Sequence, residues 1–313
     1  MPKILITPRS FASYSDVPYK MLNTASIKYI KNNTGSIMEE GQLKQHIKGC
    51  DGIIVGVEPI TKSVLKGSGV RIVSKYGVGT DNIDLQYCLD NNIKVTVTEN
   101  ANSEAVADYC FALILSVARK VIEIDNDCRR EDWGKKIGID VFGKKIGIIG
   151  LGAIGRGVVK RAQGFSMDVY GYDIFKDEDY LNKNKVIFSS VTEIVKKCDF
   201  VSLHLPLNSK TKYMINKEIL KTAKPNLVLI NTSRGGIIHE GDLYEALKNN
   251  QIWGAGLDVF ENEPLVNSPL ISLNNVVLGS HSAASTVGAV QNMSNIAVKN
   301  IIDFFENDTG RIL

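Results

Sequence analysis

A unit of apolar segment, turn and amphipathic segment repeats along this chain and determines which folds it can adopt. Segments that are apolar nearly throughout and alternate with helical patterns are typical of parallel strands covered by helices on both faces. The repeat predicts strands at 3–7, 26–30, 52–55, 70–75, 94–98, 145–149, 168–172, 200–204, 227–231, 254–258 and 276–278. It predicts helices at 39–48, 62–65, 85–91, 103–120 and 286–307. The predicted fold class is α/β, with two doubly wound parallel-sheet domains, the second beginning near residue 100.

The predicted helix at 103–120 is apolar all round, with Val106, Ala107, Phe111 and Leu115 on different sides. Helices of this kind are buried, either inside a domain or against another subunit. The periodicity leaves both alternatives open. It also leaves open which domain the final helix joins.

Composition argues against several classes of protein. The 37 basic and 34 acidic residues are mixed along the chain, so we expect neither a nucleic-acid nor a membrane partner. The longest apolar runs are far shorter than the roughly 20 residues that span a bilayer, and we expect no signal peptide. The five cysteines lack metal or redox spacing, which indicates reduced thiols, a cytoplasmic location and no metal site.

A glycine-rich turn follows the predicted strand at 145–149. Gly150 permits a tight turn, Gly152 permits backbone to approach a pyrophosphate, and Gly155 permits close packing of helix on strand. The helix that follows presents its N–H groups and positive dipole end to phosphates. Asp173 ends the next predicted strand, 18 residues after Gly155, where a carboxylate would bind the ribose hydroxyls. The pattern predicts a dinucleotide site.

Asp173 also discriminates between the two nicotinamide cofactors. A carboxylate repels a 2′-phosphate, and positions 174–176 contain no arginine. We therefore predict NAD as the cofactor, with Lys176 as the one residue that weakens the prediction.

Candidate catalytic groups follow the late strands, where ligands bind in open α/β sheets. Arg234 follows the strand at 227–231, and its planar guanidinium suits a carboxylate. His281 follows the strand at 276–278 and is the candidate proton donor. Glu263 is the candidate carboxylate beside it, with Glu261 as a rival. His204, at the end of a buried strand, is assigned to the cofactor crevice.

The order of these motifs resembles the D-2-hydroxyacid dehydrogenase family, and within it the phosphoglycerate dehydrogenase branch. The resemblance runs from about residue 50 to the C-terminus. Its motifs are 75–84, 102–107, the glycine turn at 150–155 with Asp173, 204–206, 231–235, 258–264 and 281–284. It implies an enzyme that transfers hydride between NAD(H) and a small 2-hydroxy or 2-keto acid.

The resemblance also implies roles for single residues. His281 would be the acid/base, Glu263 its partner, and Arg234 would bind the substrate together with the backbone N–H groups of Val78 and Gly79. Asp258 would meet the nicotinamide carboxamide. The remaining cofactor residues would be Gly150, Gly152, Ala153, Ile154, Gly155, Asp173, His204, Pro206, Thr232, Ser233 and Ala284. Formate dehydrogenase relatives carry Gln in place of the acidic partner, so Glu263 indicates a hydroxy acid.

The architecture implied by the resemblance is discontinuous. Residues 1–98 and 286–313 would form a substrate-binding domain, and 99–285 a Rossmann domain that binds NAD, with catalysis in a cleft between them. The helix from Ser103 would form a homodimer through the cofactor domain. The chain would be a short form that lacks the C-terminal regulatory domain of longer relatives.

The loop that follows the predicted strand at 52–55 bears on the identity of the substrate. Many phosphoglycerate dehydrogenases carry an Arg-Ser pair where this chain has Gly56-Val-Glu58-Pro59, so a dedicated phosphate clamp is not evident. Lys75 is either a partial substitute or an ordinary strand-end lysine. 3-Phosphoglycerate is the leading candidate substrate, with glyoxylate and hydroxypyruvate as the alternatives. A non-catalytic NAD-sensing regulator is the alternative from another class.

Overall fold

The computed structural model describes residues 1–309 of the chain, with side chains described to 307. The strands are β1 Lys3–Ile6, β2 Lys28–Lys31, β3 Gly52–Val55, β4 Ile72–Lys75, β5 Lys94–Val97, β6 Lys145–Ile149, β7 Asp168–Tyr172, β8 Ile187–Phe188, β9 Phe200–Leu203, β10 Val228–Asn231, β11 Gly254–Leu257 and β12 Val276–Leu278. The helices are α1 Val17–Thr24, α2 Glu40–His46, α3 Lys62–Leu65, α4 Leu85–Asp90, α5 Ser103–Ala118, α6 Val121–Cys128, α7 Ala153–Gly164, α8 Glu178–Lys183, α9 Val191–Lys197, α10 Lys217–Leu220, α11 Glu240–Lys248 and α12 Val287–Thr309.

The chain divides into two compact units. The first unit joins Met1–Asn102 to the segment that begins at Ser285, and the second is Ser103–Ala284. The predicted substrate-binding domain extends to residue 313, and its last four residues lie outside the described part of the chain. In each unit the named strands pair in parallel, which confirms the predicted fold class.

The first unit contains a five-stranded sheet in the order β2-β1-β3-β4-β5. The central strand β3 is buried along its whole length, as parallel strands with helices on both faces must be. Helix α12 belongs to this unit although it is last in the sequence. The Ser74 hydroxyl donates to the Ala297 carbonyl at 3.0 Å, and the Asn300 amide donates to the Val97 carbonyl at 3.1 Å.

The second unit contains a seven-stranded sheet in the order β12-β11-β10-β9-β6-β7-β8. Successive side chains of a strand point to opposite faces, so one strand contributes to two cores. In β10, Val228 and Ile230 enter the core formed with α5 and α7, whereas Leu229 enters the core formed with α9, α10 and α11. This sheet places the ends of β6, β7, β9 and β10 along one edge.

Helix α5 ends earlier than its apolar pattern predicts. Lys120 adopts a left-handed conformation at φ 54°, and a separate helix, α6, begins immediately after it. The apolar pattern does not predict α6, because ion pairs, such as Arg129 with Asp125 at 2.7 Å, support this helix in place of an apolar stripe. Nine of the sixteen residues of α5 are buried, so packing within the second unit accounts for most of its apolar character.

The other differences from the predicted elements are local. Strand β2 begins at Lys28, two residues late, because Ser26 adopts a left-handed φ of 55°. The short strand β8 and the helices α1, α8, α9, α10 and α11 were not assigned from the sequence. Across residues 1–309, no helix has both the length and the apolar character needed to cross a membrane.

Candidate active site

The glycine turn lies between β6 and α7, as its spacing predicts. Gly150 has a φ of +102°, a conformation that side chains rarely adopt. A Cβ on Gly155 would lie 1.9 Å from the Gly150 carbonyl oxygen, so any side chain there would displace the turn. A Cβ on Gly152 would meet no atom within 4 Å. The start of α7, with Ala153 and Ile154 in its first turn, therefore has open space in front of it.

Asp173 is fixed against this turn. One carboxylate oxygen accepts the Leu151 N–H at 2.7 Å, and the other accepts the Phe175 N–H at 3.2 Å. The next two side chains, Ile174 and Phe175, are largely exposed. Lys176 is paired with Glu178 at 2.6 Å. These contacts hold the carboxylate at the end of β7, where a dinucleotide site has the carboxylate that binds the ribose.

His204 lies immediately after β9, and its imidazole is held inside the unit. The ring Nε2 lies 2.8 Å from the Ser202 hydroxyl, which lies 3.0 Å from the Cys110 thiol. Burial lowers the pKa of His204 to about 3, so its ring is neutral at physiological pH. A neutral ring agrees with the assignment of His204 to the cofactor crevice. Pro206, two residues on, is exposed, and its carbonyl accepts the Thr211 hydroxyl at 2.6 Å.

Asn231, at the end of β10, organises the segment that carries Arg234. Its amide oxygen accepts both the N–H and the hydroxyl of Ser233, at 3.0 and 2.8 Å. Its amide nitrogen donates to the Arg234 carbonyl at 2.8 Å. The Arg234 guanidinium donates to the Ser233 carbonyl at 2.6 Å. This role of Asn231 is not among the predictions from the sequence, although an Asn that ends an apolar strand before Thr-Ser is a recognisable signal for such a turn.

His281 and Glu263 form the closest ionisable pair of the predicted set. The His281 Nδ1–H donates to the Glu263 carboxylate at 2.7 Å. The other carboxylate oxygen of Glu263 accepts the Phe260 N–H at 3.0 Å. Glu261 points to other groups, because it accepts the Tyr213 hydroxyl at 3.0 Å and the Glu240 N–H at 2.8 Å. The structure therefore pairs His281 with Glu263 and leaves Glu261 elsewhere.

Burial, hydrogen bonds and neighbouring charges together set the pKa of Glu263. Burial, the largest influence, raises the pKa of its carboxyl, but hydrogen bonds from His281 and the Phe260 N–H outweigh it. The positive charges of His281 and Arg234 lower the pKa further, and the net shift is downward. Glu263 is thus ionised at neutral pH. The charge of Arg234 therefore acts on the Glu263 carboxylate, which itself contacts His281.

Asp258 holds the turn that carries His281. Its two carboxylate oxygens accept the N–H groups of Ser282 and Ala283 at 3.0 and 2.8 Å. Its carbonyl accepts the His281 N–H at 2.8 Å, and His281 itself has a left-handed φ of 57°. Burial raises the pKa of the Asp258 carboxyl, chiefly by desolvation. The role of Asp258 in ordering this turn, which continues to Ala284, is one that sequence analysis missed.

The second unit satisfies the requirements of a bound dinucleotide. It has open space at the start of α7 and a fixed carboxylate at the end of β7. Two buried polar atoms next to the same sheet edge, His204 Nδ1 and Thr232 Oγ1, have no hydrogen-bond partner within residues 1–309. Buried polar groups are normally paired, so orphaned atoms at this edge fit a site that a ligand completes. The residues present therefore fit NAD.

Val78 and Gly79 lie in the first unit, in the loop after β4. The Val78 side chain is exposed, and the loop begins with Gly77 at a φ of +128°.

Comparison with known proteins identifies the family. Residues 111–283 match the model of the D-isomer specific 2-hydroxyacid dehydrogenase, NAD binding domain. A glyoxylate reductase from Pyrococcus horikoshii is 37% identical over 314 residues, covering 97% of this chain and 92% of that protein. A D-3-phosphoglycerate dehydrogenase from Methanocaldococcus jannaschii is 37% identical over 273 residues, covering 86% of this chain but 52% of that protein. The solved D-lactate dehydrogenase from Aquifex aeolicus, complexed with NAD and lactic acid, superposes with a TM-score of 0.83 at 28% identity, covering 99% and 97% of the two chains.

The chain therefore belongs to the D-isomer specific 2-hydroxyacid dehydrogenase family, as its motifs predict. It is an NAD-dependent oxidoreductase that acts on the CH–OH group of 2-hydroxy acids or on the corresponding keto acids.

Proposed function

We propose that the chain reduces a small, unphosphorylated 2-keto acid of the glyoxylate type, with NADH as the preferred cofactor. The observation that carries this proposal is the 2.7 Å hydrogen bond between His281 and Glu263. Because Nδ1 is engaged by the carboxylate, Nε2 is the ring nitrogen that serves the substrate oxygen. The ionised Glu263 stabilises the protonated form of the imidazole that reduction requires.

The chemistry follows from this arrangement. NADH, when bound, supplies the hydride to the carbonyl carbon of the keto acid. His281 donates its Nε2 proton to the carbonyl oxygen, which otherwise gathers negative charge. Arg234 binds the substrate carboxylate and polarises the carbonyl, and the Ser233 and Asn231 contacts keep its position fixed. We also assign the loop of Val78 and Gly79, in the first unit, to the substrate carboxylate.

The preference for glyoxylate over 3-phosphoglycerate rests on Glu58 and Lys75. Glu58 occupies the loop where many phosphoglycerate dehydrogenases carry an Arg-Ser pair, and its buried carboxylate accepts the Thr7 hydroxyl at 2.7 Å. A fixed carboxylate repels a phosphate. Lys75 is buried, and its ammonium donates to the Asn82 side chain at 2.9 Å inside the first unit, which argues against a phosphate clamp. The glyoxylate reductases among the relatives support the same choice.

The experiment is a panel of keto acids, followed by NADH absorbance with the full-length chain. Glyoxylate, hydroxypyruvate, pyruvate and 3-phosphohydroxypyruvate are compared by kcat/KM, and each is repeated with NADPH. We expect glyoxylate to lead, and NADH to be preferred because Asp173 repels a 2′-phosphate. A leading activity on 3-phosphohydroxypyruvate would contradict the substrate assignment, and no turnover of any acid would contradict the proposed enzyme.

We also propose a cytoplasmic homodimer formed through the second unit. The four buried cysteines are unpaired, and so is the exposed Cys128, which suits a reducing compartment. Large apolar side chains remain exposed in and after α6, among them Ile122, Trp133, Ile137 and Phe142. Exposed apolar patches of this kind mark interaction surfaces. Light scattering of the purified chain tests this, and a monomer at micromolar concentration would contradict it.

A further inference from the structure

We propose that Lys75 is a positioning residue that holds the loop of Val78 and Gly79 in its substrate-binding conformation, through the side chain of Asn82 and the carbonyl of Gly56. This inference rests on the proposed function, which assigns that loop to the substrate carboxylate.

Lys75, the last residue of β4, is 7% exposed. Lysine is rarely buried to this extent unless its ammonium is paired or hydrogen-bonded. Here the ammonium donates to the Gly56 carbonyl and, at 2.9 Å, to the Asn82 side-chain oxygen. One charged group therefore joins the ends of β3 and β4 to the segment that follows the binding loop.

Asn82 extends this connection. Because its oxygen accepts from Lys75, its amide nitrogen is directed to the carbonyls of Gly56 and Glu58, at 3.1 and 2.6 Å. The Ile60 N–H also donates to the Asn82 carbonyl at 2.7 Å. The loop from Gly77 to Asn82 is thus attached to the 56–60 segment at its C-terminal end.

The other end of the loop is attached to Thr98, which is fully buried. The Gly77 N–H donates to the Thr98 hydroxyl, and the Thr98 N–H donates to the Gly77 carbonyl, both at 2.9 Å. Between these two attachments, the N–H groups of Val78 and Gly79 donate to no protein acceptor in the described part of the chain. A loop fixed at both ends with two available donors is preorganised for an anion.

Removal of the ammonium would release one of the two attachments. The Gly56 carbonyl and the Asn82 oxygen would each lose a charge-assisted partner, and the Asn82 amide would lose its fixed orientation. The binding loop would then be more mobile in the free enzyme, and it would lose conformational entropy when the keto acid binds. Such a loss affects substrate and transition state alike, so it raises KM and leaves kcat nearly unchanged.

The test compares Lys75→Met with Lys75→Arg and with Lys94→Met in the full chain. Lys94 lies on the neighbouring strand β5 and is exposed, so it provides the same change of charge outside the network. The readouts are KM and kcat for glyoxylate, NADH affinity by fluorescence, and amide hydrogen exchange of residues 76–84 in the free enzyme.

For Lys75→Met we expect KM to rise about tenfold or more, the equivalent of losing one charged hydrogen bond, with kcat and NADH affinity preserved. In Lys75→Met, amide hydrogen exchange of the 76–84 segment should be faster than in the wild type. Lys75→Arg should have a KM between those of the wild type and Lys75→Met. Lys94→Met should have the KM and the exchange rates of the wild type. An unchanged KM with only a lower melting temperature would overturn the proposal, as would equal effects of Lys94→Met.

Two further outcomes are decisive. If Lys75→Met does not fold, Asn82→Ala removes the amide that Lys75 contacts and must meet the same criteria. If the wild type reduces no keto acid, the proposed function fails. The attachment of the loop is still tested by amide hydrogen exchange of residues 76–84 in Lys75→Met: faster exchange supports it, and unchanged exchange refutes it.

Discussion

The replacement Glu263→Gln tests how the carboxylate controls the proton donor. Gln keeps the size of the side chain and an oxygen that can accept from His281 Nδ1, but it removes the negative charge. Because the negative charge stabilises the imidazolium that donates the proton, its loss should lower kcat/KM for keto-acid reduction.

The magnitude follows from the geometry of the pair. The two groups are 2.7 Å apart, and their side chains are 45% and 35% exposed. A hydrogen bond to a charged group contributes about 1.5–3 kcal/mol, and the neutral one that Gln retains contributes about 0.5–1.5 kcal/mol. Because the pair is partly exposed and screened by solvent, the charge itself contributes about 1 kcal/mol. A loss of about 1 kcal/mol of transition-state stabilisation should lower kcat/KM about fivefold.

The assay is the initial rate of glyoxylate reduction at subsaturating substrate, recorded from pH 5 to pH 9. The matched control is Glu261→Gln, which removes the same charge two residues away from a carboxylate that contacts Tyr213 and Glu240. The control should keep the wild-type kcat/KM. An unchanged kcat/KM across this pH range in Glu263→Gln would refute the reasoning. A loss confined to Glu261→Gln would assign the role to Glu261.

Three further predictions concern the same unit. His281→Ala should lower kcat for glyoxylate reduction by about 10²–10⁴-fold, while its NADH affinity, measured by fluorescence titration, should be unchanged. Near-normal turnover would exclude His281 as the proton donor. Asp173→Ala should weaken NADH binding about tenfold, because two hydrogen bonds to a ribose are lost, and it should reduce the selectivity for NADH over NADPH. Equal selectivity in the wild type and the variant would contradict this. Arg234→Lys should raise KM for glyoxylate with NADH affinity preserved, since an ammonium cannot reproduce the two-pronged contact, and an unchanged KM would argue against carboxylate binding.

Much of the fold was predictable because parallel strands leave a strong local signal. The bounds of β3, β6, β7 and β12 agree with the predicted ranges. Strands β3 and β12, for example, are apolar runs bounded by turn residues. Helix α6 was missed because its support is ionic, and the break at Lys120 has no glycine or proline to announce it. Local periodicity could not assign α12 either, since its contacts reach residues more than 200 positions away.

The candidate site was predictable in its chemistry but not in its internal contacts. The sequence pattern alone left Glu261 as a rival of Glu263, and the family resemblance selected Glu263 together with Arg234 and His281. That choice depends on the loop 258–264, where the Phe260 N–H directs one carboxylate. Asn231, Asn82 and Asp258 act through backbone groups of other segments, and such contacts leave no spacing that a linear pattern could reveal.

The late position of α12 has a consequence for biosynthesis. A chain emerges from the ribosome with its N-terminus first, and its domains generally fold as units during synthesis. The second unit is continuous and can fold as soon as residue 284 is available, whereas the first must wait for a helix encoded about 190 residues after its last strand. Until then Ser74 and Val97 lack their α12 partners, and the face that α12 covers stays exposed. A nascent chain truncated before α12 should therefore be a good substrate for chaperones, even though it already contains both sheets.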